Sequence, residues 1–131
     1  MRSAGAKESK ILVVEDEPAI CRVCSRTLTS EGFEVDIAVN GSLADDMLES
    51  GKNYDLILID IRTPVMNGRQ LYESIVKKHP ELVSRVIFTT GDVIGDNKSF
   101  LEESGRLYLP KPFTPDDLKT IVEEALRQLE K

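Results

Sequence analysis

Apolar residues recur along the chain in two alternating patterns: short aliphatic runs, and longer stretches with apolar positions three and four apart. The aliphatic runs predict β-strands at residues 10–14, 33–39, 56–60, 85–90 and 106–109. The stretches with helical spacing predict helices at residues 18–30, 42–50, 68–78, 95–104 and 115–129. This alternation predicts five βα units, and hence an α/β fold with a parallel sheet covered by helices on both faces.

Two of the aliphatic runs also indicate where their strands lie in the sheet. The run LILID at 56–60 is aliphatic from Leu56 to Ile59 and closes with Asp60, which is typical of a central parallel strand covered on both faces. The run FEVDIAV at 33–39 instead alternates, with its apolar residues from Phe33 to Val39 on one side. That alternation predicts a strand at the edge of the sheet.

Helix boundaries are signalled with unequal strength. Thr114 is suited to cap the last helix, and Pro115 fits its first position, where a missing N–H costs nothing. Asn67 and Gly68 are expected to begin the third helix. The start of the fourth helix is weakly signalled, because Gly95 and polar residues stand there.

The composition of the 131 residues is that of one globular domain, which we place at 10–131, after a disordered lead-in or cloning remnant at 1–9. The formal charge of −6 argues against a broad nucleic-acid surface, and we expect no direct contact with nucleic acid. No apolar run approaches the roughly 18 residues of a membrane span, and the first ten residues lack the apolar centre of a signal peptide. We therefore expect a cytoplasmic domain, or the cytoplasmic domain of a membrane-bound sensor kinase, that itself makes no membrane contact.

The two cysteines, Cys21 and Cys24, lie three apart in CRVC. A redox pair and half of a zinc site are the chemical interpretations of this spacing. The structural interpretation is favoured, because the pair falls inside a predicted helix with Cys24 on its apolar face. His79, in KKHPE, is likewise interpreted as a residue of a surface turn rather than a phosphodonor.

Polar residues, with the small Gly91 among them, stand at or just after the ends of four predicted strands. They are Glu15, Asp16 and Glu17, then Asp60, then Thr90, Gly91 and Asp92, and finally Lys111. In an open α/β sheet, sites form beyond the carboxyl ends of the strands, where the strand order reverses. Carboxylates brought together there repel one another unless a cation joins them, and Mg²⁺ prefers one or two carboxylates, waters and a phosphoryl oxygen. The pattern therefore predicts a magnesium-dependent phosphoryl site.

With these residues in view, the chain from 10 to 130 resembles the CheY-like receiver domains of two-component response regulators. The motifs that carry the resemblance occur in the family's order. They are the acidic pair Glu15-Asp16, Asp60 in DIRTPVMNG, Thr90 followed by the small Gly91, Tyr108, and Lys111 in KPF. The resemblance implies a flavodoxin-like doubly wound sheet with the strand order 2-1-3-4-5. It also implies a chain that catalyses its own phosphorylation and dephosphorylation without being a turnover enzyme.

The resemblance implies a role for each of these residues. Asp60 is the implied nucleophile that takes a phosphoryl group from a phosphohistidine. Mg²⁺, or Mn²⁺, is bound by Asp16, Asp60 and the backbone carbonyl of Arg62, and Glu15 acts through a coordinated water. Lys111 pairs with Asp60 and then with a phosphoryl oxygen.

The implied switch pairs Thr90, which bonds the phosphoryl group, with the rotating ring of Tyr108. The face around the fourth helix, fifth strand and fifth helix then changes. The Lys111–Pro112 peptide bond is expected to be cis. Arg62 departs from the usual pattern. We expect its side chain to reach over the phosphoryl group or the acid pair and, with Gly91, to modulate dephosphorylation in either direction.

The expected phosphodonor is a histidine kinase or a histidine phosphotransfer domain, and a homodimer that forms on phosphorylation is a further expectation. GRLYLPKPFTPDDL at 105–118 resembles receivers at the C-terminus of hybrid histidine kinases, so an excised domain and a stand-alone receiver both remain open. The alternatives to a receiver are a flavodoxin-like cofactor binder, an aspartyl-phosphate phosphohydrolase and an inactive pseudo-receiver. The carboxylates after the first strand disfavour the cofactor binder, and Arg62 stands where the phosphohydrolases carry a second aspartate.

Overall fold

The structure, a computed structural model, describes residues 9–92 and 95–130. Residues 1–8 of the predicted lead-in lie outside the described residues. The five strands are β1 (Lys10–Val14), β2 (Glu34–Ala38), β3 (Leu56–Asp60), β4 (Val86–Thr90) and β5 (Leu107–Pro110). The five helices are α1 (Pro18–Ser30), α2 (Gly41–Glu49), α3 (Gly68–Lys78), α4 (Asp96–Ser104) and α5 (Pro115–Leu129).

The strands form one parallel sheet in the order β2-β1-β3-β4-β5, which confirms the predicted fold class and strand order. The predicted edge strand, β2, lies at one edge of the sheet, and β3 lies at its centre. All five residues of β3 are buried, as its continuous aliphatic run predicts.

Two apolar cores cover the two faces of the sheet. One core joins β-strand residues to α2, α3 and α4 through Ala44, Leu48, Leu71, Ile75 and Leu101. The other joins the opposite face to α1 and α5 through Cys24, Leu28, Leu118, Val122 and Ala125. Because odd and even strand residues point to opposite faces, Leu58 and Ile59 enter different cores. No helix within the described ranges is long and apolar enough to cross a bilayer.

Local capping signals fix the starts of two helices. The Asn67 side chain accepts from the Gln70 N–H, and the Gln70 side chain accepts from the Asn67 N–H, so α3 begins with a capping box. Thr114 and Asp117 form the same reciprocal pair at α5. Both predicted helix starts are confirmed.

Three features of the elements depart from the apolar pattern of the sequence. β2 ends at Ala38, so Val39 leaves the apolar row of its strand and is exposed. A short 3₁₀-helix at Pro80–Arg85, which the apolar pattern did not predict, precedes β4. Leu43 lies on the exposed side of α2. The smaller Gly41 and Ala44 make buried contacts on the other side of the helix.

Candidate functional site

The carboxyl ends of β1, β3, β4 and β5 meet at one edge of the sheet. Asp60 is the last residue of β3 and pairs in register with Thr89 of β4. Thr90 ends β4 opposite Pro110 of β5, and its carbonyl accepts from the Lys111 N–H at 2.8 Å. The strand order reverses between β1 and β3, which is where doubly wound folds form their sites.

Three carboxylates converge at this edge. One oxygen from each of Glu15, Asp16 and Asp60 lies within 4.8 Å of the other two. Glu15 and Asp60 are buried, whereas Asp16 is exposed. Two of the three charges are therefore withdrawn from water, and the third borders the solvent.

Lys111 supplies the positive charge of the site. Its Nζ lies 3.0 Å from Glu15 Oε1, 3.1 Å from Asp60 Oδ2 and 3.2 Å from Glu17 Oε1. The contact with Glu17 was not anticipated from the sequence, although the acidic run at 15–17 offered a signal for it. One ammonium thus contacts three carboxylates, two from the loop after β1 and one from the end of β3.

Backbone N–H groups hold the remaining oxygens of the two buried acids. The Glu17 N–H donates to Glu15 Oε2 at 3.2 Å, and the Arg62 N–H donates to Asp60 Oδ1 at 3.2 Å. Each acid therefore has one oxygen on Lys111 and the other on a main-chain donor. Such contacts fix the orientation of a carboxylate group.

The site shifts the pKa values of its charged groups. Burial, and then the neighbouring charge of Asp60, raises the pKa of Glu15, although its hydrogen bond to Lys111 works in the opposite sense. Burial by itself would lower the pKa of Lys111, but hydrogen bonds to Glu15 and Asp60 outweigh it and raise that pKa above its ordinary value. The ammonium form is held by the acids around it.

Thr90 is fully buried, and its hydroxyl is engaged within its own loop. Oγ1 donates to the Asp92 carbonyl and accepts from the Asp92 N–H, both at 3.0 Å. Gly91 lies between them, and a Cβ added there would meet nothing within 4 Å. The hydroxyl is bonded within its turn, and only this local turn would have to open to free it.

Two other predicted residues face outward. The Arg62 guanidinium lies 4.0 Å from Asp92 Oδ2 and is mostly exposed, so its side chain turns toward the β4–α4 loop rather than over the acid pair. Tyr108 is 44% exposed, so its ring is not buried behind Thr90. The Lys111–Pro112 peptide bond is cis.

The cysteines take the structural places favoured by the sequence. Cys24 is buried in the core between the sheet, α1 and α5, where burial and then the charge of Glu15 raise its pKa to about 12. The Cys21 thiol donates to the Glu15 carbonyl at 3.3 Å. Both pKa values are raised, which disfavours thiolate chemistry. His79 is the C-cap residue of α3, and its Nε2 lies 3.1 Å from Glu49 Oε1. Its side chain is 18% exposed, which is less than we expect of a residue in a surface turn.

The donor set fits a hard divalent cation. Glu15, Asp16 and Asp60 provide carboxylate oxygens from two neighbouring strand ends, which are the ligands that Mg²⁺ prefers. Two buried acids that share one lysine retain a net negative charge, which a cation would offset. The site therefore suits a phosphoryl group held between an ion and an ammonium.

Comparison with known proteins agrees with this geometry. The profile of the response regulator receiver domain matches residues 11–123. The uncharacterized transcriptional regulatory protein YkoG of Bacillus subtilis is 32% identical over 122 residues, which are 93% of this chain and 53% of YkoG. The chain thus spans about half the length of that relative.

Solved structures show the same likeness. The CheY-like receiver domain protein of Methanospirillum hungatei has a TM-score of 0.84 and 32% identity, covering 94% of this chain and 97% of the other. The receiver domain of the sensor histidine kinase PA1611 from Pseudomonas aeruginosa, solved with a magnesium ion in its active-site cleft, has a TM-score of 0.81 and 28% identity. That match covers 92% of this chain and 98% of the PA1611 domain.

An acidic site at the point where a doubly wound five-stranded sheet reverses its strand order defines a class of phospho-accepting signalling domains. The chain belongs to the response regulator receiver domain family. It is a receiver domain of a two-component system, and none of the three alternative functions finds support in these comparisons.

Proposed function

We propose that Asp60 is the acceptor that takes a phosphoryl group from a phosphohistidine. One observation carries the proposal: Asp60 ends the central strand, is buried, and has its two oxygens held by Lys111 and by the Arg62 N–H. A nucleophile fixed in this way has little orientational freedom left to lose when the donor arrives. Its partner acids supply the cation site beside it.

In the proposed step, a carboxylate oxygen of Asp60 forms a bond to phosphorus while the bond from phosphorus to the donor's imidazole nitrogen breaks. The electron pair of that bond stays on the imidazole nitrogen. Lys111 offsets charge on the phosphoryl oxygens, since it already lies 3.1 Å from Asp60. The Thr90 hydroxyl donates a hydrogen bond to the phosphoryl group once its two hydrogen bonds to Asp92 have opened.

Mg²⁺, with Mn²⁺ as a substitute, is the ion that we propose for this site. Asp16, Asp60 and the carbonyl of Arg62 would hold it, with Glu15 acting through water. When bound, the ion would offset charge shared by the attacking and transferred oxygens. The close approach of the three carboxylates supports this proposal, as does the magnesium ion of the PA1611 receiver.

We propose that phosphorylation is read out through Thr90 and Tyr108. The added phosphate brings roughly −2 of charge to the site and offers new acceptors for the Thr90 hydroxyl. A shift of the Thr90 turn would make room for the exposed Tyr108 ring to rotate inward, since the two residues lie on adjacent strands. The face formed by α4, β5 and α5 would change with it. Gly91, which lies within this turn, and Arg62, whose side chain reaches Asp92, would set how long the phosphate lasts.

The proposed phosphodonor is a histidine kinase or a histidine phosphotransfer domain, acting in the cytoplasm, where a phosphohistidine is made from ATP. Receivers of a transcriptional regulator and of a sensor kinase are both similar to this chain, so a hybrid kinase and a regulator are both candidate settings. A homodimer formed on phosphorylation through the α4–β5–α5 face is proposed as the output. The domain itself is proposed to contact neither nucleic acid nor membrane.

The proposed function is tested by mass spectrometry of the protein incubated with Mg²⁺ and phosphoramidate. We expect the wild type to gain the mass of one phosphoryl group, and Asp60→Asn to gain none. Asp46→Asn, which removes an exposed acid from α2, is the matched control and should react like the wild type. An unmodified wild type, as an inactive pseudo-receiver would give, or an Asp60→Asn variant that reacts equally, would contradict the proposal.

A further inference from the structure

Three carboxylate oxygens surround the Lys111 ammonium. An ammonium has three donors and no acceptor. Its three acceptors are Glu15 at 3.0 Å, Asp60 at 3.1 Å and Glu17 at 3.2 Å. While Asp60 is still a carboxylate, an approaching phosphoryl oxygen is a fourth acceptor beside these three, and Lys111 has to loosen one contact to reach it.

The Glu17 side chain lies at the start of a helix but contacts Lys111 rather than that helix. Glu17 is the N-cap residue of α1, a position at which side chains commonly accept from the N–H groups of the first turn. The Glu17 side chain makes no such capping bond. Its carboxylate instead lies on Lys111, which is 94 residues further along the chain.

We propose that Glu17 is a positioning residue that restrains Lys111 and must release it before phosphoryl transfer. The inference rests on the proposed function of Asp60 and deepens it, because it names the contact that limits access to Lys111. Glu17 thereby sets the reactivity of Asp60 without touching the phosphoryl group.

Burial decides which of the three contacts opens. The side chain of Glu15 is 2% exposed and that of Asp60 is 4% exposed, so either would lose its counter-ion inside the protein. The Glu17 side chain is 59% exposed. Its carboxylate returns to water when released, and exposed ion pairs are weak. Glu17 is the contact that yields at least cost.

The first test is the initial rate of phosphorylation by phosphoramidate with Mg²⁺. We expect Glu17→Gln to react about two- to fivefold faster than the wild type, because the exposed pair no longer has to open. Glu81→Gln is the matched control. It removes the same charge from the 3₁₀-helix that precedes β4, at the amino end of that strand and away from the site. It should react like the wild type.

Glu17→Asp separates the contact from the charge. Aspartate keeps the negative charge, but its shorter side chain falls short of Lys111 and suits the N-cap position of α1. We expect Glu17→Asp to react as fast as Glu17→Gln. A Glu17→Asp rate equal to that of the wild type would assign the effect to the charge near the site and would overturn the restraint.

A second measurement does not depend on phosphorylation. The ammonium protons of Lys111, followed by NMR, should exchange with water faster in Glu17→Gln and Glu17→Asp than in the wild type. An unchanged rate of proton exchange overturns the inference. Equal phosphorylation rates of the wild type and Glu17→Gln overturn it as well. A wild type that takes no phosphoryl group at Asp60 overturns the proposed function and the restraint with it.

Discussion

The Lys111 ammonium lies 3.1 Å from Asp60 Oδ2, although the two residues are 51 positions apart and β4 stands between their strands. Lys111 follows β5 directly, and its N–H donates to the carbonyl of Thr90 at the end of β4. This main-chain bond anchors Lys111 beside β4, from where its long side chain reaches the end of β3. The contact therefore depends on the register of three adjacent strands.

We expect Lys111→Met to lower the rate of phosphorylation by about a hundredfold, because a positioned donor to the transferred group is lost. The domain should stay folded with about 1–3 kcal/mol less free energy of unfolding, since Glu15 and Asp60 lose their shared counter-ion. Phosphoramidate kinetics and urea unfolding measure the two effects. The control is Lys119→Met, whose partner Glu31 is 3.8 Å away on the surface. Loss of the fold in Lys111→Met would make Lys111 a structural lysine.

Gly68→Ala should be destabilising by about 1–3 kcal/mol, because α3 begins against the end of β3. An added Cβ would stand 2.7 Å from Ile61 Cα and 2.8 Å from the Asp60 carbonyl, and backbone atoms cannot turn away as a side chain can. The displacement should also lower the phosphorylation rate. The free energy of unfolding in urea measures the loss of stability. Gly91→Ala, whose Cβ would meet nothing within 4 Å, is the control and should be nearly as stable as the wild type. Equal stability of the two variants would refute the close contact.

Magnesium should raise the thermal unfolding midpoint of the wild type, because a ligand that binds only the folded state stabilises it. The gain in the free energy of unfolding reaches about 2.7 kcal/mol when the Mg²⁺ concentration is a hundred times its dissociation constant. Asp16→Asn should abolish most of this gain, since Asp16 supplies one of the three clustered carboxylates. Asp46→Asn should retain it. An equal response of wild type and Asp16→Asn to Mg²⁺ would remove Asp16 from the ion site.

The stability of the domain should depend on Tyr54 at alkaline pH. Burial, and then its 2.6 Å hydrogen bond to Asp36, raises the pKa of Tyr54 above the ordinary value of 10.0. Because the folded pKa exceeds the unfolded one, this stabilisation is complete below pH 10 and is lost as the pH rises through the folded pKa. Tyr54→Phe should cost about 1 kcal/mol at pH 7. Urea unfolding at a series of pH values should show the gap between the two proteins closing above pH 10, and a constant gap would contradict the assignment.

Much of the fold followed from local patterns. The continuous aliphatic run of β3 indicated a strand with two covered faces, and Asn67 and Thr114 indicated helix starts that the structure shows as capping boxes. These signals are readable in sequence because they act within a few residues. Val39 shows their limit: it continued the alternation of β2, but the strand ends one residue earlier and leaves it exposed.

The site was partly readable for a similar reason. Groups at the carboxyl ends of parallel strands share one edge of the sheet, so Glu15, Asp16, Asp60 and Lys111 were expected together. The directions of long side chains were not readable. Arg62 turns to Asp92 rather than to the acid pair, and Glu17 turns to Lys111 rather than capping α1. Several rotatable bonds separate each charge from its backbone, and only the surrounding loops choose among their rotamers.

The sequence by itself determined where the central strand ends, because its continuous aliphatic run from Leu56 to Ile59 stops at an acid. It thereby placed Asp60 at the end of the central strand. Only the tertiary structure decided how those groups share their charges. Three acids and one lysine can pair in several ways, and the burial of Glu15 and Asp60, the exposure of Glu17 and the register of β3, β4 and β5 select one of them.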